Sequence, residues 1–256
     1  MKKTLLLILA VLTFTSCVEL VEGEGDVISR GYNLKDFKGI ILDVPGKLVV
    51  SQGDKNITVT TNKNLFEWLN LYVTDSILHI YLQDKVKVWQ FDELRFEVSL
   101  PDVRLIGLDG SGDIEISDSV RVQGPLEINL NGSGDVVAKK IVAGSTDINI
   151  DGSGNMRCDE IECNAVNATV NGAGDVRLTG FTNDLSVAID GSGSMLCFDM
   201  ESSNAIVNID GTGDCQLHVA NSLNVDINGS GSVYYKGDPE TQIKIDGTGT
   251  VQKVGN

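Results

Sequence analysis

The sequence predicts an all-β fold, a right-handed parallel β-helix with coils of about 20 residues, capped by an irregular N-terminal β region. Three observations carry that prediction. One pentapeptide (an Asx, Gly, a small residue, Gly, a polar residue) recurs eight times between Asp109 and Thr250. Between its copies, apolar residues fall at every second position, which is the period of a strand. Nine of the 14 aromatic residues lie within residues 27–106, from Tyr32 to Phe96, so this part of the chain is built on a different plan from the repeats.

Residues 1–16 read as a secretory signal. Lys2 and Lys3 precede an apolar run from Leu5 to Leu12 that is too short to span a bilayer as a mature helix. Cys17 follows Thr15 and Ser16, as in the bacterial lipobox, whose thiol receives a diacylglyceryl group before cleavage; Phe14 stands where leucine is usual. Cys17 is therefore the expected lipidation site, and two or three acyl chains would hold the protein on a membrane without passing through it. Residues 17–26 place Glu19, Glu22, Glu24 and Asp26 among glycines and read as a short, solvated acidic tether.

Residues 27–106 form the N-terminal β region. Strand-like runs cover Gly39–Val44, Lys47–Ser51, Ile57–Thr61, Leu69–Thr74, Ile77–Leu82 and Leu94–Leu100, with one helical turn over Asn64–Leu69. Pro45 and Pro101 fall at run boundaries, where a missing N–H does least harm. Wide irregular coils or a small β-sandwich both fit, and either would cover the end of a solenoid that otherwise exposes its apolar ladder.

Residues 107–256 are the repeat β-helix. The corner residues are Asp109, Gly110 and Gly112; Asn131, Gly132 and Gly134; Asp151, Gly152 and Gly154; Asn171, Gly172 and Gly174; Asp190, Gly191 and Gly193; Asp210, Gly211 and Gly213; Asn228, Gly229 and Gly231; and Asp246, Gly247 and Gly249. They recur at intervals of 22, 20, 20, 19, 20, 18 and 18 residues, the signature of a stacked solenoid. Glycines there admit positive φ, and Asx side chains bond to nearby backbone to shape a corner. The first residue after each corner (Ile114, Val136, Met156, Val176, Met195, Cys215, Val233, Val251) is expected to point inward, as is the residue two places on (Ile116, Ala138, Cys158, Leu178, Cys197, Leu217, Tyr235). Stacking puts neighbours in each column about 4.8 Å apart, so eight corners span about 34 Å. Asp and Asn alternate in much of the corner column, which dilutes carboxylates that would repel one another. No dedicated cap is visible at the far end, where Lys244 and Lys253 would discourage edge pairing.

The chain has 36 acidic and 20 basic side chains, and without Lys2 and Lys3 the balance is 18 bases against 36 acids. Such a surface excludes nucleic acid as a partner, because phosphate binding needs a basic stripe. With only His79 and His218, an imidazole metal cluster is excluded and most His-dependent catalysis loses its base. His79 lies between Leu78 and Ile80, and His218 between Leu217 and Val219; both are expected to face outward.

The run Arg30–Leu34, then Phe37 to Val44, then Lys47-Leu48-Val49-Val50-Ser51-Gln52-Gly53-Asp54 resembles the start of the head GIN domain, also called the putative auto-transporter adhesin head domain. Val98-Ser99-Leu100-Pro101 ahead of the first Asp109-Gly110-Ser111-Gly112-Asp113 is similar too, and the resemblance covers roughly residues 28–250. It implies a right-handed β-helix exported as a lipoprotein in Bacteroidetes-like bacteria, and it supplies no catalytic residues.

Gly/Asp corners invite a calcium reading, but calcium-binding β-rolls repeat every nine residues, and here Asn, Ser or Thr break each Asp column. No metal or cofactor is expected. Parallel β-helices also host polysaccharide-cleaving enzymes, which need paired carboxylates or a basic residue beside an acid cluster. The candidate bases Arg121, Lys139, Arg157 and Arg177 are scattered, although Arg157 and Arg177 share one outward column a coil apart. Cys158 and Cys197 share an inward column with Leu178 between them, too far apart for a disulfide; Cys215 lies in the other column and Cys163 off both. All four read as small buried apolar residues. Asp75-Ser76-Ile77 and Asp118-Ser119-Val120 look like Asp-Ser-aliphatic sites that some Bacteroidetes O-glycosylate.

The expectation is a non-enzymatic protein, lipid-anchored in the outer membrane, an adhesin-like rod presenting flat polar faces to a glycan or protein whose binding residues the sequence does not name. The alternatives are a periplasm-facing structural lipoprotein and a polysaccharide-active enzyme.

Overall fold

The computed structural model describes residues 18–255; the expected signal over residues 1–16 and the expected lipidation site Cys17 lie outside the described residues. The first nine strands are β1 (Glu19–Glu22), β2 (Val27–Gly31), β3 (Gly39–Asp43), β4 (Lys47–Gln52), β5 (Asn56–Asn62), β6 (Leu69–Thr74), β7 (Ile77–Leu82), β8 (Val86–Gln90) and β9 (Leu94–Leu100). The repeats supply β10 (Leu105–Gly110), β11 (Asp113–Arg121), β12 (Pro125–Gly132), β13 (Val136–Gly152), β14 (Met156–Gly172), β15 (Asp175–Gly191), β16 (Ser194–Gly211), β17 (Asp214–Gly229), β18 (Ser232–Lys236), β19 (Glu240–Gly247) and β20 (Thr250–Lys253). A 3-10 turn over Lys63–Glu67 replaces the expected turn at Asn64–Leu69.

The repeats form a parallel β-solenoid in which each strand pairs in register with its counterpart one coil away, as Ile148 with Ala168 and Val187 with Val207. The coil is stable because each inward position meets its own kind above and below. Val136, Met156, Val176, Met195 and Cys215 are all at most 1% exposed, as are Ala138, Cys158, Leu178, Cys197 and Leu217. Burying one Val, Leu or Ile in this way is worth about 1.5–3 kcal/mol. Long strands such as β13 and β14 bend within their length, so each coil has a further side that the sequence reading left out. Its inward column runs Ala143, Cys163, Thr182, Ser202 and Val219, so Cys163 lies off the two columns read from the sequence, as expected, but in a third one. All five face inward and are buried.

The corners hold the stack together. Gly172 sits at φ +132°, and the N–H of Ala173 donates to the Gly152 carbonyl of the preceding coil at 2.9 Å. The corner's closing residue does similar work: the Asn155 N–H donates to Asp135 Oδ1, Asp175 N–H to Asn155 Oδ1, and Ser194 N–H to Asp175 Oδ1, each at 3.0–3.1 Å. At two of the corner asparagines the amide donates to the carboxylate one coil back, Asn131 Nδ2 to Asp109 Oδ1 at 2.8 Å and Asn228 Nδ2 to Asp210 Oδ1 at 3.5 Å. The alternation thus makes rungs besides diluting charge.

Residues 27–106 take the form of coils, in an unexpected order. β3 lies between β7 and β10, and β4 between β9 and β11. The coil containing Gly39–Gln52 is therefore sandwiched between the coil that follows it in sequence and the first repeat coil. The outermost coil has all three sides covered: β6 runs antiparallel to β7, β5 antiparallel to β9, and β1 parallel to β8. An antiparallel strand cannot continue the solenoid, so this arrangement ends it. Among the described residues nothing covers the opposite end in this way, and Ile243 and Ile245, which continue inward columns, are 46% and 40% exposed.

The tether reading is corrected. Glu19–Glu22 is a strand, with Val21 buried beside Val88 and Leu65. Burial of Val21 and a partner edge on β8 outweigh the acidic composition. The Gly23 N–H donates to the Gln90 carbonyl at 2.8 Å, and Asn64 grips both the Glu24 N–H and the Glu22 carbonyl. Buried Asn62 adds bonds to the Gly25 carbonyl and to Asp92.

Candidate binding face

Alternation that sends apolar residues into the core sends the intervening ones out, and on the side made by β12, the C-terminal parts of β13–β17, and β19, those outward residues form ordered rows. One row includes Asn129, Asn149, Thr169, Ala188, Asn208 and Asp226; its neighbour includes Glu127, Asp147, Asn167, Ser186, Ile206 and Asn224. Short polar side chains at fixed spacing bond along the rows. Asn149 Nδ2 donates to Asn129 Oδ1 at 2.9 Å, Asn167 Nδ2 to Asp147 Oδ1 at 2.7 Å, and Asn204 Nδ2 to Asp184 Oδ1 at 3.0 Å. These bonds fix donors and acceptors in place before any ligand arrives.

Small residues make the face concave over β15–β17. One shallow depression is lined by Ala188, Asn208, Asp210, Asn228 and Lys244. A second lies beside it, lined by Ser186, Asn204, Ile206, Asn224 and Gln242. Ile206 is 50% exposed, an apolar point in a polar surface. Asp184, Asp190, Asp210 and Asp226 surround the two hollows, and the Lys244 ammonium is engaged by Asp226 at 2.8 Å. The face is therefore electronegative.

The other candidate groups do not converge on a reacting centre. Arg157 and Arg177 are paired across β14 and β15, and the Arg157 guanidinium is held by Asp159 at 2.7 Å. Lys140 bridges Glu160 and Glu162, which raises its own pKa and lowers that of Glu162. Asp43 and Asp109 stack at the first corner, and burial, reinforced by the Asp109 charge, pushes the Asp43 carboxyl up. Among the described residues, no three acid, His or Cys groups are placed to hold a metal ion.

The four thiols are buried and unpaired with one another. Burial drives Cys158 and Cys197 up to about 12 and Cys215 well above the ordinary thiol value. Cys163 lies 3.0 Å from the Thr146 hydroxyl. His79 faces outward as expected, half-buried, and stacks on exposed Tyr72 at 4.9 Å. Ser76 is exposed at the tip of the hairpin joining β6 and β7, whereas the Ser119 hydroxyl is buried.

Solved structures share this architecture. A putative adhesin from Parabacteroides distasonis superposes with a TM-score of 0.85 at 24% identity, over 92% of this chain and 100% of that one. A putative lipid binding protein from the same species gives 0.87 at 26% identity, over 92% and 100%. A putative adhesin from Bacteroides fragilis gives 0.69 at 20% identity, over 91% and 100%. No curated protein matches the chain. No helix among the described residues is long and apolar enough to cross a membrane. The sequence family described as "Putative auto-transporter adhesin, head GIN domain" matches residues 36–239, and the chain belongs to that family.

Proposed function

We propose that this protein is a lipid-anchored envelope rod that uses the outward face of β15–β17 to hold a neutral glycan, without a catalytic step. The observation that carries the reading is the pair of shallow hollows around Ala188 and Ile206, framed by hydrogen-bonded Asn, Asp and Ser side chains. Sugars offer hydroxyls to such groups and an apolar C–H face to residues like Ile206. The surrounding carboxylates disfavour an acidic polysaccharide by like-charge repulsion. That repulsion, with Arg157 and Lys140 each engaged in ion pairs, argues against the polysaccharide-cleaving alternative. Membership of an adhesin-named family supports placement at the envelope. Attachment through Cys17 rests on the lipobox-like sequence.

Protease shaving of intact native cells, with a periplasmic protein as internal control, tests display at the surface. Release of peptides from residues 18–255 is the expected result; protection until the outer membrane is broken refutes it and favours the periplasmic accessory role. Binding is then read on an array of neutral and acidic glycans, with Ile206→Asp as the variant expected to lose it. Equal binding by that variant would place the ligand elsewhere.

A further inference from the structure

The N-terminal ribbon of β1 and β8 has an outer face that the binding reading does not use. Its inner face is Val21 and Val88 over Leu65, all buried. Opposite, Leu20 is 66% exposed and Trp89 59%, the two most exposed large apolar side chains among the described residues, with Val18 beside them at 39%. Leu20 pairs with Lys87, so both stand on one side of the ribbon. The register then skips Trp89 between the pairs Val21–Val88 and Glu22–Gln90, a bulge that turns its indole outward. Apolar side chains at such exposure, grouped on one face, mark a contact surface.

We infer that this face sits in the headgroup layer of the membrane to which Cys17 is attached, an inference that rests on the lipid-anchor reading. Chain reach decides the occupant. Glu19 is already fixed in β1, and the two residues back to Cys17 span at most about 7 Å. The interfacial layer on each side of a bilayer is of that thickness, roughly 5–8 Å. A lipid on Cys17 therefore leaves the ribbon no room to stand clear of the surface. Trp is suited to that depth, with an apolar body and one N–H donor. Lys85 and Lys87 are offset by Glu19, Glu22 and Asp84, so the contact is apolar in origin and does not call for anionic lipid.

The test uses the full mature protein extracted from membranes and reconstituted into phosphatidylcholine vesicles, in a Trp68→Phe background so that Trp89 alone reports. The expected result is a blue shift of Trp89 emission and at least twofold quenching by lipids brominated near the headgroup, unchanged by added salt. Emission and quenching equal to those of a soluble chain beginning at Val18 would overturn the inference, as would quenching abolished by salt. Mass spectrometry of the Cys17 peptide tests the anchor separately. If it carries no lipid, the anchor reading fails on its own, and a maleimide lipid coupled to Cys17 puts the ribbon to the same quenching test. A soluble chain that dimerises in the ultracentrifuge, and ceases to with Leu20→Ser and Trp89→Ser, would assign the face to a second copy and overturn the membrane seat.

Discussion

Replacing Gly172 with alanine tests the view that the corners permit close stacking of the coils. The residue sits at φ +132°, where a side chain is strained, at a cost of about 1–3 kcal/mol. A Cβ built there overlaps the Gly152 carbonyl oxygen and lies 3.2 Å from its carbon and 3.3 Å from its nitrogen. All three atoms are backbone, so no side chain can swing aside. Relief takes roughly 1 Å of extra separation between coils that stack about 4.8 Å apart. That opening stretches the 2.9 Å bond from Ala173 to Gly152 past useful length. Backbone displacement of this kind adds about 1–3 kcal/mol, for a total of about 2–6 kcal/mol. At about 2–4 °C per kcal/mol the thermal midpoint should fall by about 4–24 °C. Gly53 is the control, since nothing lies within 4 Å of a Cβ built there. Circular dichroism melts of the two variants decide the matter. Equal shifts would refute the claim that the corner needs glycine for space and conformation.

Further expectations follow from the same geometry. Val187→Ala, fully buried, should cost about 1–3 kcal/mol in urea unfolding, whereas Ile206→Ala on the outer face should cost less than about 0.5. Asn131→Asp converts the rung to Asp109 into a like-charge contact beside Asp43, and should lose about 1 kcal/mol at neutral pH, recovered by salt. The folded-state pKa of Asp43 lies above its ordinary 3.8, so the folded protein binds the extra proton and stability falls as pH rises through that window. Asp43→Asn should flatten this dependence in melts taken across it. In native protein at pH 8, iodoacetamide should leave Cys158, Cys197 and Cys215 unmodified, and rapid alkylation of any of the three would contradict their burial.

The repeats were legible because each coil states the same instruction: an Asx-Gly corner, then inward residues at alternate positions. The two columns read after the corner, from Ile114 and Ile116 onward, are the columns observed, ending at half-buried Tyr235 and Val251. The further column was missed because Thr182 and Ser202 interrupt its apolar character. They are tolerated inside because their hydroxyls bond to the carbonyls of Asp184 and His218. The coil order of the N-terminal region was illegible for another reason. Alternation says which face of β3 is buried but not which strand lies beside it, and its neighbours β7 and β10 are separated from it by loops and other strands. Composition misled at Glu19–Glu22, where one buried valine and a free edge decide the structure. The binding face was foreseen only as flat and polar; its concavity depends on Ala188 and Ser186 meeting larger neighbours across coils, which no single repeat reveals.

The sandwiched position of the Gly39–Gln52 coil gives assembly a direction. Every coil beyond Asp113 can form against its immediate predecessor, closing a loop of about 20 residues at little entropic cost. The first repeat coil, Leu105–Arg121, is the exception: its template is a segment some 60 residues earlier, held on its other side by a coil made later than that segment. The pairing order predicts that the cap nucleates the fold, slowly because its contacts are distant in sequence, and that the rod grows from it. Shortening the chain from its C-terminus should leave a folded stub with fewer coils, while loss of Gly39–Gln52 removes the seed on which the repeats start.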